Sequence, residues 1–147
     1  MNNCGKYKQL FNYNVALSYL FANFATKYIY MAEIDEVERF LYEFKQKMKI
    51  YNIVFRDERS KNNETLFSLD IRPNDRKRVI SELKVEDYSE GPIPDTLYNI
   101  SDMWVFGKVV KKEEVYIKIS MGLPNRSTIC ISFHIAECPI KYKFKKQ

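Results

Sequence analysis

Apolar side chains at Ile34, Val37, Phe40, Leu41, Phe44 and Met48 recur at the three- and four-residue spacing of one helical face, so Ala32 to about Lys49 is expected to be an amphipathic helix. Glu33, Asp35 and Glu36 in its first turn and Lys45, Lys47 and Lys49 in its last complement the helix macrodipole. Two short β runs follow, Tyr51 to Asp57 and Thr65 to Ile71; with the polar stretch Glu58 to Glu64 between them they read as a hairpin with a loose loop. Asn74 offers an N-cap for a second helix through about Lys84 that buries Val79, Ile80 and Leu83. From Val85 to Ser101, with Gly91, Pro92 and Pro94, no period holds, and a long loop is expected.

The remainder alternates. Asp102 to Val110, Glu113 to Met121 and Ser127 to Ala136 predict an antiparallel meander, and Ile140 to Phe144 could add a short fourth strand. The fold class is therefore α+β: a central antiparallel sheet, made of the three-strand meander and the earlier hairpin, with two helices on one face. Period-two sorting gives the core Met103, Val105, Val109, Val115, Ile117, Ile119, Met121, Ile129, Ile131, Phe133 and Ile135. It gives the other face Trp104, Phe106, Lys108, Tyr116, Lys118, Ser120, Thr128, Cys130, Ser132 and His134. With Met121 opposite Ser127, Tyr116 would face Ser132 and lie diagonal to His134. The first hairpin, with a three-residue connection, would set Lys108 or Phe106 beside Tyr116, depending on where the turn falls.

Composition changes this picture at the N-terminus. Residues 1 to 30 hold eight of the 22 aromatics and three lysines but no acid, unlike the chain from Met31 to Gln147. The expectation is a leader that lies outside the domain, either upstream sequence ahead of a start at Met31 or an extra amphipathic helix; interruptions at Asn12, Asn14, Ser18 and Asn23 argue against a secretory signal. Of the net charge of +5, only +2 belongs to residues 31 to 147, so a nucleic-acid partner would need a local patch. Three cysteines and one histidine supply neither a disulfide framework nor an all-Cys/His zinc site, and no apolar run is long enough to span a membrane. The expected setting is the cytoplasm, without metal or cofactor.

On the polar sheet face, the only histidine sits with a tyrosine and two lysines. That set matches RNA cleavage by attack of a 2′-OH on the adjacent phosphorus, which needs a base, an acid and a cation. Histidine titrates near neutrality, which suits His134 to proton transfer. Lys108 and Lys118 could stabilise the charge on a pentavalent phosphorane, and Tyr116 could donate a hydrogen bond or relay a proton. Trp104 and Phe106 could stack on bases, with Ser132 and Arg126 as further contacts. The alternative is a protein-binding module that uses the Trp104, Tyr116 and His134 face without catalysis. A weaker third reading binds nucleic acid without cutting it.

The blocks "WVFGK", "EVYIKI" and "ISFHIAE", within the run from Leu83 to Lys145, resemble the MqsR family of type II toxins, a branch of the RelE-like mRNA interferases. The likeness extends over roughly Glu33 to Lys145. It implies a small α+β ribonuclease that cuts mRNA without a metal and is neutralised by a cognate antitoxin from an adjacent gene. Tyr116 takes the place of the family's catalytic tyrosine, and His134 stands where the prototype has a catalytic lysine. Val105 replaces a glutamine, and Glu90 falls near the family's loop lysine; Lys108 is expected to compensate.

Overall fold

The computed structural model describes the backbone of residues 4–58 and 60–145 and the side chains from Val15 onwards, apart from residue 59 and the last two. The chain forms two compact units, Met1–Glu36 and Val37–Gln147. The described residues of the first, from Cys4, are helical and belong to α1 (Cys4–Tyr51), which runs through Met31 without a break. Its described side chains from Val15 to Met31 are exposed, among them Leu20, Phe21, Phe24 and Tyr28. No helix among the described residues is long and apolar enough to cross a membrane.

In the second unit, β1 (Ile53–Phe55), β2 (Tyr88–Ile93), β3 (Met103–Val110), β4 (Glu113–Ser120) and β5 (Thr128–Ile135) form a mixed sheet in the order β1-β5-β4-β3-β2. Helices α2 (Ser60–Ser68) and α3 (Pro73–Ser81) and a 3-10 turn at Val85–Asp87 complete the α+β architecture. The expected face of the first helix holds: Val37, Phe40, Leu41, Phe44 and Met48 are buried. Its end is fixed by Asn52, which takes a positive φ of 66° and lets the chain turn into β1.

The expected hairpin does not form. β1 pairs in parallel with the first half of β5, Ile53 to Thr128 and Phe55 to Cys130, and the second run lies in and after α2. In helical phase Asn62, Thr65 and Leu69 point inward together, and the polar pair does work that a strand could not. Asn62 accepts the Phe133 N–H at 3.0 Å and Thr65 accepts the Ile135 N–H at 3.0 Å, so α2 satisfies the stretch of the β5 edge beyond the short β1. The second predicted helix is present but starts at Pro73, with Arg72 as N-cap instead of Asn74; the Asp75 carboxylate accepts the Arg72 N–H at 2.9 Å. Part of the expected loop is β2, paired with β3 through irregular register. The segment after β5 is a strap without strand structure, not a fourth strand.

The meander forms as expected, but its phase differs. Lys111 and Lys112, at φ 48° and 74°, make a two-residue turn, so Val110 pairs with Glu113 and Gly107, not Lys108 or Phe106, lies opposite Tyr116. Trp104 and Phe106 therefore join Val115, Ile117, Ile119 and Phe133 on the core face, each at most 6% exposed. Trp104 stacks on Phe40 with ring centroids 4.3 Å apart. Lys108 points to this side as well, where its Nζ pairs with Asp87 at 2.7 Å.

Between Lys118 and Ile119 the β4–β5 register shifts by one residue. Before the shift Cys130 pairs with Ile119 and is core; after it Ser132 pairs with Lys118 and His134 directly with Tyr116. Thr128 and Cys130 thus leave the predicted polar face, and Ile129 and Ile131 enter it.

Candidate functional site

Three rows of cross-strand partners now define the face opposite the helices. Gly107, Tyr116 and His134 form one row, Glu90, Val105, Lys118 and Ser132 the next, and Ile93, Met103, Ser120 and Ile129 the third. Of the sequence-predicted residues, Tyr116, Lys118, Ser132 and His134 are brought together. Trp104 and Phe106 are core, Lys108 is ion-paired on the helix side, and Arg126 lies in the exposed β4–β5 turn beside Arg56 and Ile129.

The Tyr116 and His134 rings stack at 5.1 Å with 20° between their planes, and the Lys118 ammonium lies 5.9 Å from the Tyr116 ring centroid. His134 Nδ1 is 3.0 Å from the Ile135 carbonyl oxygen. A carbonyl only accepts, so Nδ1 carries the hydrogen and the neutral ring keeps its lone pair on Nε2. All three groups are half-buried. The arrangement holds a proton acceptor, a hydroxyl donor and a cation within one pleat of each other.

A wall that the pattern did not reveal comes from the C-terminal strap. Glu114 accepts the Tyr142 O–H at 2.7 Å and the Ile140 N–H at 2.9 Å, drawing the strap across the first row. Gly107 makes room: a Cβ there would lie 2.6 Å from Tyr142 Oη and 2.7 Å from Ile140 Cδ1. A glycine inside a strand marks such close approaches, and this was the available signal. Burial, then the Glu114 carboxylate, pushes the Tyr142 hydroxyl well above the ordinary tyrosine range, so it stays a donor. Phe144 stacks on Tyr88 at 5.4 Å and fastens the far end of the strap.

Cys130 is closed to chemistry, because burial pushes its thiol up to about 12. Among the described residues no three His, Cys, Asp or Glu side chains converge as metal ligands would. Comparison of the chain with models of known families, with curated proteins and with solved structures gave no match.

Proposed function

We propose that the Tyr116–His134 face cleaves RNA, and that the chain acts in the cytoplasm as an MqsR-like, RelE-related toxin held in check by a cognate antitoxin protein. The observation that carries this reading is the direct pairing of Tyr116 with His134 beside Lys118. His134 Nε2 takes the proton of the 2′-OH as that oxygen attacks the neighbouring phosphorus. Lys118 stabilises the added negative charge, and Tyr116 gives a proton to the departing 5′-oxygen. The products are a 2′,3′-cyclic phosphate and a 5′-hydroxyl, and the step needs no metal or cofactor.

The two positions that depart from the family's prototype, Glu90 and Val105, are cross-strand partners in the row of Lys118 and Ser132. Lys118 is the cation of that row, a role Lys108 cannot fill from its pair with Asp87. A protein-docking use of the same face loses its tryptophan anchor, since Trp104 is core.

With a labelled single-stranded RNA at low salt, His134→Ala and Tyr116→Phe proteins should each cleave about 10²-fold or more slowly than wild type, with unchanged circular dichroism. Cleavage at the wild-type rate by both would remove the assignment.

A further inference from the structure

Lys118 also lines a cavity of about 200 Å³ that the Tyr116–His134 pair does not use. Met103, Ser120, Ile129 and Ile131 of the sheet line it together with the loop carrying Tyr98. The loop is braced by Asp95, whose carboxylate accepts the N–H groups of Leu97, Tyr98 and Ile100 at 3.2, 3.1 and 3.4 Å. At the mouth the Arg56 guanidinium faces the Tyr98 ring, 5.8 Å from its centroid, and Arg56 pairs with Glu58 at 3.4 Å.

We propose that this cavity seats one unstacked nucleobase of an RNA strand whose phosphate lies at Lys118, an inference that rests on the cleavage reading above. Six of its lining residues are apolar or aromatic and six are polar or charged, so it offers both a surface for a flat ring and groups to orient it. A base supplies the flat π-surface that Tyr98 and the guanidinium plane would flank, the mode by which single-stranded RNA is recognised. With Arg56 on the face of the base, the Glu58 carboxylate supplies the acceptor pair that reads its edge; an inorganic anion alone would meet Glu58 and gain nothing from Tyr98. Lys118 lines the cavity and its ammonium also lies 5.9 Å from the Tyr116 ring centroid, so a base in the cavity places its own phosphate beside Tyr116.

The test is a titration of the ¹⁵N-labelled full chain with each of the four nucleoside 3′-monophosphates, with inorganic phosphate alongside. The expected result is amide shifts concentrated at Tyr98, Ile100 and Ile131 for at least one nucleotide and not for phosphate. Tyr98→Ala should raise that dissociation constant five-fold or more, Tyr98→Phe should preserve it, and Glu58→Gln should change the order of preference among the four bases. Shifts that inorganic phosphate reproduces, or nucleotide shifts that leave the cavity untouched, overturn the seat. Cleavage that proceeds with the same base preference in Glu58→Gln and Tyr98→Ala overturns it while leaving the cleavage reading standing. Nucleotide binding in the cavity with no RNA cleavage by wild type does the reverse.

Discussion

A single methyl at Gly107 would press to 2.6 Å from the Tyr142 hydroxyl, so this residue couples the strap to the row of Tyr116 and His134. Gly107→Ala should cost about 1 to 3 kcal/mol in urea unfolding, the usual penalty of overpacking, and the double variant with Tyr142→Ala should recover part of it. If Gly107→Ala is neutral, the strap does not lie against the sheet as described. At this scale Tyr116, Lys118, Ser132 and His134 were legible as one face, but partly by a cancellation. The β4–β5 turn starts in a register that would set Thr128 and Cys130 apart from Tyr116, and the shift at Ile131 returns Ser132 and His134 to its side. A bulge leaves no mark in a period-two pattern when both residues around it are tolerated by either face. Trp104 and Phe106 went to the wrong face for a related reason. Two lysines form a turn whose positive φ values are normally supplied by asparagine and glycine, and one residue of loop length inverts a whole strand.

Among the elements, α2 shows most clearly what local pattern misses. Thr65 to Ile71 alternates like a strand, yet the exposed end of β5 offers two N–H groups, and a helix carrying Asn62 and Thr65 three residues apart satisfies both. Tertiary demand overrides the β propensity of the segment. Asn62 is 1% exposed, so Asn62→Ala strands the Phe133 N–H and should lower stability by about 1 to 3 kcal/mol, read as a shift of the urea midpoint at constant slope. A neutral result would mean that β5 finds another partner there. Nearby, Arg76 is 2% exposed and grips Asp57 through two hydrogen bonds at 2.6 and 3.1 Å while its guanidinium lies 3.9 Å from the Phe55 ring, tying α3 to the end of β1. In the sequence Arg76 stands beside Lys77 and Arg78, and nothing local tells a buried arginine from a solvated one.

For the molecule as a whole, the helix, the meander and the α+β class were legible because each rests on a long unbroken period. The parallel β1, the strap and the cavity were not, because each depends on contacts between segments distant in sequence. Acid sensitivity is also a property of the assembled fold. The Asp75 carboxylate is held below its usual range, first by the Arg72 N–H and then by neighbouring arginines. Its contribution is therefore present above the unfolded carboxylate value near 3.9 and is lost as pH falls through the lower folded value. Wild type should exceed Asp75→Asn in stability at pH 7 and at pH 5, and the gap should close on acidification below that point. A gap that persists at low pH would assign the effect to the cap's shape instead of its charge.

The most direct measurement of the central claim is the chemistry of the cut ends. A defined RNA incubated with the chain in EDTA, without ribosomes, should yield 2′,3′-cyclic or 3′-phosphate termini and 5′-hydroxyls by mass spectrometry, and His134→Ala should abolish them. RNA left intact, or fragments ending in 3′-hydroxyl and 5′-phosphate, would contradict attack by the 2′-OH at the Tyr116–His134 face.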